Sequence, residues 1–255
     1  MSRLSTIGAA ALVLAGNALE ASAQIAEAPD PIAVDWQHDG VFGTFDRAAA
    51  QRGFQVYREV CSACHGLTYI AFRNLADLGF SEEQVRALAA EYTVEDGPND
   101  EGEMFERPAT PADPIPPPYP NPQAARVANG GALPPELSLI TKARAGGPDY
   151  VYSLMVGYEE PPADAVGPEG TYYNAYFPGH WIAMPPPLSE GVVSYGDGTE
   201  ASVEQMAADV TTFLTWAGEP TLEQRKQSGL KVTLFLIVLT GLCYATMRKI
   251  WAHAH

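Results

Sequence analysis

The chain has 255 residues, enough for one packed core with appendages, and carries 31 Asp and Glu against 15 Lys and Arg. The imbalance is regional, with 29 acids and nine bases between Gln24 and Leu222. Such a surface excludes nucleic acid, which needs a basic footprint. It suits a basic or neutral protein partner, because opposite fields speed encounter, or it serves solubility alone. Three cysteines, Cys61, Cys64 and Cys243, provide no disulfide framework.

In chain order, residues 1–23 read as an export signal. Arg3 is the positive end, Ile7–Ala18 is short and apolar, and Ala21-Ser22-Ala23 fits small-x-small cleavage, so the mature chain starts at Gln24. Glu20 departs mildly from this pattern, and the apolar stretch is too short to span a bilayer. Residues 24–222 form the main domain. Its first helix is predicted over Asp46–Val60 with Thr44 as N-cap. Gly53, Tyr57 and Cys61 are four apart and share a face, and the small residue there admits a second helix closely.

Next comes Cys61-Ser62-Ala63-Cys64-His65, the C-x-x-C-H pattern of covalent haem attachment. Two thiols bond the haem edge, and the histidine that follows is an axial ligand of its iron. A structural zinc site wants four N or S donors, and the remaining cysteine lies in an apolar run. A thioredoxin-like pair wants a βαβ setting, whereas these flanks are helical. The haem reading is therefore preferred to both.

Ser81-Glu82-Glu83-Gln84 is a capping box that opens a second helix through Tyr92. Gly147-Pro148-Asp149 opens a third, to about Met155. Val203–Ala217 is a fourth, with Val203, Met206, Ala207, Val210, Phe213 and Leu214 on one stripe. Two regions rich in proline, Thr93–Leu133 and Gly157–Ser202, read as long loops, which a bound cofactor can organise. Val232–Met247 is nearly all apolar. Extended to 229–249 it makes a membrane anchor, with a cytoplasmic tail at 250–255 and the acidic domain on the export side.

A methionine opposite the histidine raises the haem potential. Met155 and Met206 sit on helical stripes, Met247 is in the anchor, and Met104 is in an acidic run. Met184, in the proline-stiffened loop Phe177–Leu188, is free of helical constraint, and His180 in the same loop is the rival ligand.

Several segments together resemble the cytochrome c1 family, the haem subunit of cytochrome bc1 complexes. They are Arg52–Tyr57 leading into the haem motif, Glu95–Asn99 with Gly102–Phe105, Tyr119–Pro122, Asn129–Pro135, Asp149–Leu154, Tyr176–Gly179 with Met184, and the C-terminal anchor. The resemblance covers nearly the whole mature chain. It implies an all-α architecture, a class I cytochrome c-like haem domain with long proline-rich loops plus one C-terminal transmembrane helix. It implies one haem c held through Cys61 and Cys64, with His65 and Met184 as iron ligands.

By the same resemblance Arg144 partners a haem propionate, and Asn129, Pro134 and Tyr150 line the pocket. A backbone carbonyl near Pro134 is placed to set the His65 tautomer. The implied task is relay, with no catalytic residue of the chain's own. One electron comes from a Rieske iron–sulfur protein and leaves to a soluble c-type cytochrome, beside cytochrome b in a dimeric complex of the bacterial inner membrane. Two other readings of the motif are a tethered cytochrome serving a terminal oxidase and a haem enzyme with an open sixth position. Some bacterial relatives carry an extra disulfide near the distal loop. This chain has no cysteines for it, so Pro185-Pro186-Pro187 must stiffen that loop.

Overall fold

The computed structural model describes residues 28–163 and 165–252. Residues 1–23, expected to be an export signal, and 253–255 of the expected tail lie outside the described residues. Helix α1 runs over Arg47–Glu59. The Asp46 carboxylate accepts from the Ala49 amide and caps it. Thr44, the expected cap, lies two residues too early, because Asp46 itself keeps an extended backbone. A turn of tight helix, Cys61–Ala63, follows directly.

Strand β1 (Leu67–Ala71) leads into a tight helical stretch, Phe72–Leu78. Helix α2 covers Glu82–Ala90 with the expected capping box, Ser81 and Gln84 satisfying each other's amides. It stops two residues before Tyr92, the end expected from its pattern.

The first proline-rich region is more regular than its composition suggests. Strands β2 (Thr93–Asp96) and β3 (Phe105–Pro108) form an antiparallel hairpin, and β4 (Pro114–Ile115) pairs with β1. Helix α3 (Pro122–Ala128) begins with proline at its first position, under an Asn121 cap. Helices α4 (Ile140–Ala143) and α5 (Gly147–Val156) follow, then strands β5 (Tyr172–Tyr173) and β6 (Trp181–Ile182), which pair with each other. The expected all-α class is corrected accordingly. The domain is helix-rich, and three two-stranded antiparallel pairs brace its connections. Strand pairing satisfies backbone groups that proline-rich segments could not satisfy by helix.

Helix α6 (Val203–Gly218) packs across α1 and makes the core. Met206, Val210, Phe213 and Leu214 of its stripe are buried against Phe54 and Tyr57. Gly53 sits at the crossing. A Cβ there would lie 2.0 Å from the Asp209 carbonyl oxygen, so the helices approach only because the side chain is absent. The neighbouring Arg52 guanidinium forks onto the buried Asp209 carboxylate at 2.9 and 3.0 Å.

Helix α7 is one run of 30 residues, Leu222–Trp251, about 45 Å long at 1.5 Å per residue. Among the described residues it is the one helix long and apolar enough to cross a membrane, and its apolar stretch is wholly unburied. It starts seven residues before Gly229, where the anchor was expected. Polar residues of those first turns are fastened to the domain. Glu223 accepts from the Phe45 amide at 2.8 Å and from Arg47 at 2.8 and 3.0 Å. Lys226 donates to the carbonyls of His38 and Gly43. Just ahead of the helix, Glu219 takes Lys142 and Arg225. The domain thus passes into the helix through a three-residue turn, Glu219–Thr221, that is itself bonded on both sides.

Candidate functional site

The C-x-x-C-H segment unwinds from the end of α1. The amides of Cys64 and His65 both donate to the Cys61 carbonyl, at 3.1 and 2.9 Å, curling the two thiols into one short turn. The Ser62 hydroxyl ties this turn back to the Arg58 carbonyl at 2.7 Å. The buried Tyr57 hydroxyl donates to the His65 carbonyl at 3.2 Å. Both thiols are free and half-buried. Burial, with Cys64 nearby, pushes the Cys61 thiol up to about 12, so it stays neutral until it is bonded.

His65 is the best-defined group of the site. Its Nδ1 lies 2.7 Å from the Pro135 carbonyl oxygen. A carbonyl only accepts, so Nδ1 carries the proton and Nε2 keeps a lone pair. Burial lowers the imidazole pKa, and the Pro135 bond opposes that only in part. The ring is therefore neutral near pH 7, the form a metal ligand requires. The carbonyl that orients it belongs to Pro135, next to Pro134, where such a carbonyl was expected.

The Pro134-Pro135 segment is held in turn by the residues that follow. Leu137 donates its amide to the Gly66 carbonyl at 2.9 Å. The Glu136 carboxylate accepts from the Thr68 amide at 2.8 Å and from the Ser138 amide at 2.8 Å. Asn129 closes α3, its side-chain amide donating to the Ala125 carbonyl at 2.7 Å. Pro134 and Asn129 are both half-buried.

A second group of expected site residues gathers around α5. Arg144, at the end of α4, is exposed, and among the described residues its guanidinium makes no hydrogen bond or ion pair. It acts on Tyr150, whose pKa burial raises and whose phenolate the Arg144 charge favours. Tyr150 in turn neighbours Tyr158, where burial first and Tyr150 second push the phenol far up. The Tyr158 hydroxyl donates to the Met184 carbonyl at 3.0 Å.

The loop carrying Met184 is organised by short polar bonds. The buried Asn174 side chain donates to the Leu154 carbonyl at 2.8 Å and accepts from the Tyr176 amide at 3.0 Å. His180 stands at φ 64°, in the left-handed region, directly after Gly179 at φ 79°. Its ring stacks on Tyr173 at 5.4 Å, and its Nδ1 is 3.0 Å from the Ala175 carbonyl. It therefore serves the turn itself. Met184 is half-buried, Met206 lies in the core, and Met104 is exposed.

The donor set fits haem c. Two thiols flank one turn, a neutral imidazole keeps Nε2 unprotonated, and a thioether sits in a braced loop. Among the described residues no cluster of three or more His, Cys, Asp or Glu could hold a metal ion, which leaves the zinc reading without ligands. Of the acids Glu95, Asp96, Asp100, Glu101 and Glu103, Asp96 is occupied by Arg107, which also forks onto Asp113.

Tyr57, Pro135, Glu136, Tyr158 and Asn174 were not singled out in the sequence as holding these groups. Tyr57 had a signal in its shared face with Cys61, whereas the others act across long separations that no local pattern marks.

The Cytochrome C1 family matches residues 36–254. The chain is 48% identical to a protein named cytochrome c1 from Rhodospirillum rubrum, over 97% of this chain and 98% of that one. It is 54% identical to a cytochrome b-c1 complex catalytic subunit, mitochondrial, of Candida albicans, over 83% of this chain and 73% of that one. It is also 52% identical to a Bradyrhizobium diazoefficiens protein named cytochrome b/c1, over 97% of this chain but only 40% of that longer protein.

Proposed function

The chain belongs to the cytochrome c1 family, and from that premise we propose that it is the haem-bearing relay subunit of a quinol–cytochrome c reductase. In this reading it takes one electron from a Rieske iron–sulfur protein and passes it to a soluble c-type cytochrome. The His65–Pro135 contact carries the reading most directly, because it presents a neutral imidazole in one tautomer beside two free thiols. Haem c supplies the one-electron couple of its iron.

The chain's own residues attach, orient and insulate. Cys61 and Cys64 hold the group through two thioethers. His65 Nε2 and the Met184 sulfur would hold its iron, a pairing that would favour a high potential. The Arg144 guanidinium, without a protein partner among the described residues, matches a propionate carboxylate. Asn129, Pro134 and Tyr150 complete the walls, and the haem domain follows the class I cytochrome c arrangement. Pro135 keeps the imidazole facing the metal, and Tyr158 holds the Met184 backbone.

The net negative domain suits a basic or neutral acceptor. We further propose that α7 crosses the inner membrane of a bacterium once, with the haem domain in the periplasm and cytochrome b beside it in a dimeric complex. The named relatives, one of them a b-c1 complex subunit, support that assembly. Purification of the intact chain in mild detergent tests it. A b-type haem and a Rieske centre are expected to travel with it. Recovery with a terminal oxidase instead would mean a tethered cytochrome and overturn the proposal.

A further inference from the structure

Ahead of α1 the chain makes a turn that the redox reading leaves unused. Val41 and Phe42 at its tip are 63% and 80% exposed, whereas Trp36, His38 and Phe45 around its base are all buried. The base is rigid. His38 stacks between Trp36 and Phe45, at 5.6 and 5.2 Å, and the Thr44 amide closes the turn onto the Gln37 carbonyl. Both ends of the turn are bonded to α7, since Lys226 donates to the carbonyls of His38 and Gly43.

We propose that this turn, through Val41 and Phe42, is a second membrane contact of the chain, seated in the interfacial layer of the bilayer that α7 crosses. The proposal rests on the reading of α7 as a membrane span. Lys226 stands six residues before Val232, where the continuous apolar run begins. At 1.5 Å per residue that is about 9 Å along the helix. The polar layer on each side of a bilayer is itself roughly 5–8 Å deep outside the hydrocarbon. A turn fixed at Lys226 therefore stands at the outer edge of that polar layer, and its apolar tip enters the headgroups by leaning toward the membrane.

The chemistry agrees with that level. An aromatic and a branched aliphatic side chain suit the interface, where apolar groups bury shallowly while the backbone stays wet. Three bases, Arg225, Lys226 and Lys231, lie within seven residues here, although residues 24–222 are strongly acidic. Arg225 is paired with Glu219 and Lys226 holds the turn, which leaves Lys231, next to the apolar run, as the base that suits a headgroup phosphate. Other exposed apolar side chains, such as Val127 and Val166, have no bond to α7 and no such placement.

The test uses the haem-loaded full chain with Cys243→Ser, in phosphatidylcholine vesicles, with the haem kept reduced. A nitroxide is placed at Phe42→Cys, at Val41→Cys, at Asp100→Cys in the acidic hairpin and at Val238→Cys within α7. The readout is the ratio of collisions with oxygen to collisions with a water-soluble nickel chelate. Its expected order is Val238 highest, Val41 and Phe42 intermediate, Asp100 lowest, with the turn at least about twofold above Asp100, as shallow burial of an apolar tip requires. The haem spectrum confirms that each variant is folded. Ratios at 41 and 42 equal to that at 100 would place the turn in water and overturn the proposal. Shielding from both reagents, in vesicles or only in the assembled complex, would mean that protein covers the turn and would equally overturn it. An aqueous ratio at Val238 would instead remove the membrane span itself.

Discussion

The two sides of the proposed haem site are built by different means. The proximal side, Cys61 to His65, is the continuation of α1, and α1 is clamped to α6 by a close helix crossing. Its histidine is held by the Pro135 carbonyl at the ring and by the Tyr57 hydroxyl at its own carbonyl. The distal side is a loop between α5 and α6, held by a two-residue strand pair, a buried asparagine and one tyrosine hydroxyl. Covalent attachment belongs to the rigid side and the adjustable ligand to the other. The second ligand is therefore the one that few interactions can release, and the potential depends on it.

The sharpest way to break the comparison is to damage the rigid side. Gly53→Leu forces a side chain into the Asp209 carbonyl, which is backbone and cannot swing away. Destabilisation of about 3 kcal/mol or more is expected, with loss of both sides together, read as the yield of haem-loaded protein and its melting temperature. Met184→Leu should separate the sides. The haem stays attached, the potential falls on the order of 0.2 V within the ~0.8 V range that axial ligands span, and carbon monoxide binds the reduced form. An unchanged redox titration would remove Met184 as ligand.

Tyr158→Phe is a finer probe of the distal loop. It removes one hydrogen bond worth about 1 kcal/mol, roughly a fivefold change in an opening equilibrium. Slow carbon monoxide binding should appear while the proximal thioethers and overall melting stay near those of the parent. The smallest effect concerns the strand that flanks the proximal motif. Arg107, first of several partners, holds the Asp113 carboxyl below the usual carboxylate range. A depressed carboxylate stabilises the fold above its ordinary pKa and loses that contribution as pH falls. Below about pH 4, exchange protection should drop at the Phe72 and Arg73 amides, which bond to the carbonyls of Asp113 and Pro111. Leu137, bonded to Gly66, should keep its protection.

The same division decides what could be read from the sequence. The haem motif, the helix before it and the small residue at the crossing are local patterns, so α1 and its packing face were legible. The capping box of α2 and the stripe of α6 were legible for the same reason. Strands β1 to β6 were not, because segments two to five residues long carry too little alternation to stand out. The carbonyl on His65 arrives from 70 residues away, and an oxygen common to every residue leaves no side-chain signal. The odd setting of Met184 stood out in the sequence, whereas Tyr158, the residue that holds its backbone, looked like any other aromatic. His180 looked like a ligand candidate because histidine invites that reading, yet its left-handed backbone and stacked ring serve the turn.

The short, bonded entry into α7 has a mechanical meaning. A flexible leash would fix only how far a domain strays and would leave it free to tumble. Here Glu223 and Lys226 bolt the helix to the domain, so tilting one tilts the other. Seated in a bilayer, such a molecule has a set height and a set bearing, like a lamp on a post. Whatever brings or collects its electrons must do the travelling.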